Sequence, residues 1–300
     1  MKENPARKAY LFAFLAVLFW STSPTAFKLG LRQQDIVQLL SGATITSFIV
    51  LGTILLAGKR YMKFREFGWK DLGFSALMGL LNPVAYYLVL FRAYSILPAQ
   101  VAQPLNMVWP LVLVLISIPM LHQKIGWKSI GAMVLSFSGV VLISMQEGAP
   151  EKHPDNVSGI ILALSTSLIW AFYWIFNARD GKDPLVRMFL NFLCATVFLV
   201  AGGLLKGNGF PSSLPGWGTA AYVGVFEMGI TFVLWLLAMQ YAPATDRISN
   251  LVYMAPFLNL VFVNLVLGER IYLTTIPGII LLVLGILVQK LIERNAAKNG

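Results

Sequence analysis

Apolar runs of about 20 residues recur from one end of this chain to the other, and each is long enough to cross a bilayer core as a helix. The stretch "YVGVFEMGITFVLWLLAM", Tyr222–Met239, is typical, apart from the carboxylate at Glu227. Only 12% of the 300 residues are charged and 57% are hydrophobic. A soluble protein of this size would need roughly twice that charge to cover its surface. A mean hydropathy of +0.72 agrees. In lipid the backbone must satisfy its own hydrogen bonds, so the expected class is an all-α polytopic membrane protein.

Ten spans are expected, at roughly 9–27, 36–57, 72–91, 99–121, 128–146, 157–177, 186–205, 217–239, 248–267 and 271–291. The first is too long for the apolar core of a signal peptide and reads as a retained helix. An even number of spans puts both termini on one side. With the N-terminus in the cytoplasm, 17 of the 23 Lys and Arg residues fall inside, and the positive-inside rule favours that orientation. The net charge of +10 is thus loop charge that sets topology, not a nucleic-acid surface. Short loops point to a bacterial inner membrane. The sequon Asn156-Val157-Ser158 lies too close to a span to carry weight.

Catalysis has little to stand on. The lone cysteine, Cys194, sits in an apolar run, and His122 and His153 lie in loops. No group has metal-ligand spacing and no catalytic motif occurs, so no cofactor and no enzyme activity are expected.

The two halves resemble each other. Trp20 falls on Trp170 when "AVLFWSTS" is laid over "TSLIWAFY"; Pro98 falls on Pro243, Pro110 on Pro256, Lys124 on Arg270 and Gly139 on Gly285. The period is about half the chain. Five spans per half is an odd number, so the second half is inverted. The expected architecture is two inverted five-helix repeats, 1–146 and 156–292, joined by a linker at 147–155. Transporters use such repeats to open one central site to either side in turn. The glycines of Gly131–Gly139 and Gly278–Gly285 read as packing of spans five and ten.

"LFWSTSPTAFKLG" (Leu18–Gly30), "PAQVAQPLNMVWP" (Pro98–Pro110), "LIWAFYWIFNA" (Leu168–Ala178), "APATDRISNLVYMAP" (Ala242–Pro256) and "LGER" (Leu267–Arg270) resemble the signatures of the drug/metabolite transporter superfamily, EamA type. The second half keeps the family's acid as Glu269, and the first half departs from it with Gln123. "FWST", "LNMVWP", "IWAFY" and Trp235 in "FVLWLL" are similar to the aromatic amino-acid exporter branch. The resemblance implies a secondary transporter that exports aromatic or other neutral amino acids, or related small metabolites. Its implied partners are a small-molecule substrate and the lipid bilayer, with protons as candidate coupling ions and no nucleic acid. A monomer suffices. Two other readings stay open: the same fold with drugs or sugar-phosphates as cargo, and a membrane enzyme.

The repeat also nominates a site. At an offset of 145, Asn82 falls on Glu227 and Tyr86 on Thr231, near the middle of spans three and eight. Each second residue is one helical turn from its polar partner. An intramembrane acid is costly and marks function by default. Glu227 either stays protonated and donates to a neighbour such as Asn82 or Thr231, or ionises in a wet cavity. It is the candidate for proton coupling and for binding a cargo amine. Trp109, Trp170 and Trp235, with Tyr86, are expected to form an aromatic wall; Trp20, which could equally belong to an interfacial belt, Asn106, Asn250 and Tyr253 complete the candidate substrate-binding set. The cavity is expected between spans 1, 3, 4, 6, 8 and 9.

Overall fold

The computed structural model describes residues 5–109, 111–112, 115–116, 127–145, 156–178, 180–241 and 250–299. Its helices are α1 (Pro5–Leu31), α2 (Ile36–Ala57), α3 (Trp69–Ile96), α4 (Ala99–Asn106), α5 (Trp127–Met145), α6 (Asn156–Ala178), α7 (Pro184–Leu205), α8 (Leu214–Tyr241), α9 (Ala255–Leu267) and α10 (Thr275–Asn299). Seven of these are long and apolar enough to cross a membrane: α1, α2, α3, α6, α7, α8 and α10. Shorter apolar helices span Ile130–Ile143 and Ala255–Leu267. Large apolar side chains such as Leu56, Val134, Ile161, Val197 and Leu265 face outward, as lipid contact requires.

Local chemistry sets the boundaries. Asp35 caps α2, its Oδ1 accepting from Val37 N (2.8 Å) and Gln38 N (2.9 Å), while Gln38 Oε1 accepts from Asp35 N (3.2 Å). Asp183 does the same for α7 ahead of Pro184. Within α1, the hydroxyls of Ser21, Thr22 and Ser23 donate to carbonyls three or four residues back, which satisfies them inside an apolar helix.

Three spans differ from the sequence expectation. Span four is helical over Ala99–Asn106, and most of the stretch beyond Trp109 lies outside the described residues. Span nine starts as a short tight helix, Asn250–Met254, before α9. The last helix starts at Thr275, four residues late, because Glu269–Tyr272 are engaged elsewhere. Glu269 takes the free N–H groups of Ala99 (3.1 Å) and Gln100 (3.4 Å) at the start of α4, and Gln100 binds Arg270 O and Tyr272 N. The acid of the "LGER" stretch therefore caps a helix of the other half.

The packing repeats with a shift of five helices. α1 packs on α8 and α6 on α3; α1 on α9 and α6 on α4; α2 on α8 and α7 on α3. The pairs α2–α7 and α5–α10 map onto themselves. Glycines make the closest approaches in this scheme. A Cβ on Gly79 would stand 2.4 Å from Asn191 O of α7, and a Cβ on Gly224 would stand 2.4 Å from Ala43 O of α2. A Cβ on Gly139 would stand 2.5 Å from Gly278 O, so the small residues of spans five and ten do pack helix on helix.

One end of the bundle carries a charge network. Arg187, 2% exposed, donates to both Asp180 oxygens (2.6 and 2.7 Å), to Asp71 Oδ1 (3.0 Å) and to Ser75 Oγ (2.8 Å), with its guanidinium against Phe67 and Phe74. It reads in the sequence as an orientation charge, yet it ties α7 to α3.

Candidate functional site

α3 and α8 each contain one wide helical turn, Leu80–Ala85 and Val223–Gly229. In each, the next N–H reaches back five residues, from Tyr86 to Leu81 and from Ile230 to Val225. Such turns bulge one residue out of the normal ladder and are frequent at functional sites. Asn82 and Glu227 sit in these two turns, so the pair picked out by sequence offset occupies matching irregularities.

The turns change which side chains share a face. Asn82 leaves helical geometry altogether (φ −146°, ψ 118°), ahead of Pro83, which cannot donate. The one-turn spacing that should have set Tyr86 beside Asn82 therefore fails. Tyr86 lines a cavity, whereas Asn82 is fully buried outside it, with no hydrogen-bond partner for either side-chain polar atom among the described residues. In α8 the Thr231 hydroxyl donates to Phe226 O. Neither Asn82 nor Thr231 is the hydrogen-bond partner of Glu227. That role falls to Tyr87, whose hydroxyl donates to Glu227 Oε1 (2.9 Å), with the Ser23 hydroxyl as a second neighbour. The sequence reading missed both. The serines beside Pro24 in "STSP" were the available signal for Ser23, and only the bulge at Asn82 brings Tyr87 round.

A cavity lies between α1, α3, α4, α6, α8 and the turn before α9. Of the residues that the sequence nominates, Trp20, Tyr86, Asn106, Trp109, Trp170, Glu227 and Trp235 line it. So do Ser23, Pro24, Phe27, Leu90, Tyr94, Gln103, Met107 and Val252, which it did not single out. The side chains of Asn250 and Tyr253 lie outside the described residues. Asn106 is held in place: Tyr86 OH donates to its Oδ1 (3.2 Å), and its Nδ2 donates to Thr166 Oγ1 (2.7 Å). Gln103, 3% exposed, has no partner for its Oε1 among the described residues.

A thin aromatic layer floors this cavity. Trp20 lies 5.4 Å from Trp235 and 6.4 Å from Phe232, and Trp170 lies 5.9 Å from Phe232, centroid to centroid. A second cavity uses the same rings and continues past Tyr173, Asn177, Pro184, Met188 and Leu236. With Trp20 laid over Trp170, Asn177 corresponds to Phe27. Phe27 is packed shut against Phe91 (4.9 Å), Tyr94 (5.2 Å) and Tyr87 (6.4 Å). Both positions border a cavity, Phe27 the first and Asn177 the second. Next to Phe27, Lys28 Nζ donates to Tyr94 O (2.8 Å) and Leu97 O (3.0 Å). Among the described residues no His, Cys, Asp and Glu group could hold a metal ion.

The model of the EamA-like transporter family matches this chain twice, over residues 7–145 and 157–289. An uncharacterized transporter of Archaeoglobus fulgidus is 23% identical over 94% of this chain and 98% of its own. The aromatic amino acid exporter YddG of Ancylobacter novellus is 24% identical over 84% of this chain and 86% of its own. A solved crystal structure, 22% identical, superposes with a TM-score of 0.65 over 97% of this chain and 99% of that one. Two matches that together span nearly the whole chain, on an all-helical apolar bundle, decide its kind: the chain belongs to the EamA-like transporter family of the drug/metabolite transporter superfamily and is a multi-pass membrane transporter, not an enzyme.

Proposed function

We infer that this transporter exports small amine-bearing metabolites, aromatic and other neutral amino acids or their relatives, by alternating access across a bacterial inner membrane. The observation that carries the reading is Glu227: a carboxylate set in a helical bulge, held by Tyr87, at the edge of a cavity walled by four tryptophans. A buried acid invites a cationic partner, and the rings invite an apolar or aromatic body.

The alternating-access part rests on ten spans arranged as inverted halves, 1–146 and 156–292, with 147–155 between them and both termini in the cytoplasm. The five-helix shift in packing and the mirrored glycine contacts support it. A sugar-phosphate cargo fits less well, since no Lys or Arg lines either cavity among the described residues.

Uptake into inverted membrane vesicles tests the reading, with radiolabelled amino acids and their amines as cargo, with and without an imposed pH gradient. Expected is saturable uptake of aromatic members that Glu227→Gln abolishes or uncouples from pH. Uptake of none of them, or uptake indifferent to the substitution, refutes it.

A further inference from the structure

The charge inventory of the aromatic cavity narrows the cargo further, given the reading that this cavity is the transport site. We propose that it selects a monovalent aromatic cation, an arylalkyl ammonium whose carboxyl group is absent or capped, over the zwitterionic amino acid. The described lining holds one acid, Glu227, and no Lys, Arg or His. The nearest cation along the chain, Lys28, already gives its ammonium to Tyr94 O and Leu97 O behind the Phe27 ring. A free α-carboxylate entering here would lose its water without gaining a cation, and an uncompensated buried charge is expensive.

The hydrogen-bonding groups point the same way. An ammonium offers donors and no acceptor. The wall offers acceptors: Glu227, which also takes the Tyr87 hydroxyl, and Gln103 Oε1, buried with no partner among the described residues. Three of its side-chain donors are already committed: Tyr86 OH to Asn106 Oδ1, Asn106 Nδ2 to Thr166, and the Ser23 hydroxyl to Phe19 O. The indole faces of Trp20, Trp109, Trp170 and Trp235 add attraction for a cation and none for an anion. One carboxylate, one idle acceptor and a box of indoles complement a positive charge on a ring-bearing tail.

Four probes with one shared ring decide the matter: phenethylamine, L-phenylalanine methyl ester, L-phenylalanine and 3-phenylpropanoate. Their binding to the purified full chain in detergent is measured by isothermal titration calorimetry. We expect the amine and the ester to bind at least tenfold more tightly than phenylalanine, and 3-phenylpropanoate not to bind. Glu227→Gln should erase the preference, and Tyr87→Phe, which keeps the carboxylate, should retain it. Phenylalanine binding as tightly as its ester overturns the proposal; if that binding is lost in Glu227→Gln, the amine-site reading of Glu227 survives. Amine binding equal in wild type and Glu227→Gln overturns both. Absence of binding by all four probes also overturns the proposal, and the wild-type series decides it even if a variant does not fold.

Discussion

Gly73 and Gly79 lie on the same stretch of α3, and replacing each by alanine should move stability in opposite directions. Alanine improves helix propensity by about 1 kcal/mol at either position. At Gly73 a new Cβ meets nothing within 4 Å, so that gain stands alone. At Gly79 the Cβ would stand 2.4 Å from Asn191 O and 3.2 Å from Ala195 N, both backbone atoms of α7. Backbone cannot rotate away, so α3 and α7 must separate. Overpacking of this kind costs about 1–3 kcal/mol, and the parting also loosens the turn that holds Asn82. Net, Gly79→Ala should fall about 1–3 kcal/mol below Gly73→Ala, or several degrees in Tm at roughly 2 °C per kcal/mol for a chain of this size. Gly224→Ala, facing Ala43 O across the related α2–α8 contact, should behave like Gly79→Ala. The assay is thermal unfolding in detergent, followed by a thiol-reactive fluorophore on Cys194, the chain's one cysteine. Equal Tm values for Gly73→Ala and Gly79→Ala would refute the close-approach argument.

Arg187→Ala strips the cation from a buried pair with Asp180 and should cost about 3 kcal/mol or more in the same assay; a Tm within 2 °C of wild type, on the same rough scale, would show the network to be idle. In a cysteine-free background, Lys206→Cys should react with a membrane-impermeant maleimide added to intact cells and Lys63→Cys should not, as cytoplasmic termini demand; the reverse pattern would invert the topology. Trp109→Ala should reduce transport of aromatic cargo more than of small aliphatic cargo, because its ring lines the cavity, and equal losses would assign the indole to packing.

The sequence discloses class and repeat more fully than it discloses contacts. Apolar run length alone requires membrane-spanning helices, since no other open structure satisfies its backbone in lipid. The offsets that lay Asn82 on Glu227 anticipate two matched bulges, although nothing in either sequence spells out a wide turn. Face arithmetic fails where the helix is not regular. Tyr86 and Tyr87 differ by one residue, and only the break at Asn82–Pro83 decides that Tyr87 meets Glu227 while Asn82 turns from the cavity. Arg187 misleads for another reason. A basic residue at a span end usually faces water, and its burial depends on Asp71 and Ser75, more than a hundred positions earlier. Glu269 is legible as a family residue, yet its task of capping α4 across the halves is visible only in three dimensions.

The central claim is that Glu227 carries the charge of the cargo through the membrane, and counterflow in proteoliposomes tests it most directly. Vesicles loaded with unlabelled phenethylamine are diluted into labelled phenethylamine, and exchange is followed for wild type, Glu227→Gln and Glu227→Asp. The account predicts rapid exchange by wild type, slower exchange by the aspartate variant, which keeps the charge on a shorter arm, and none above empty liposomes by the glutamine variant. Exchange by Glu227→Gln at the wild-type rate would contradict it and leave the carboxylate as no more than the hydrogen-bond partner of Tyr87.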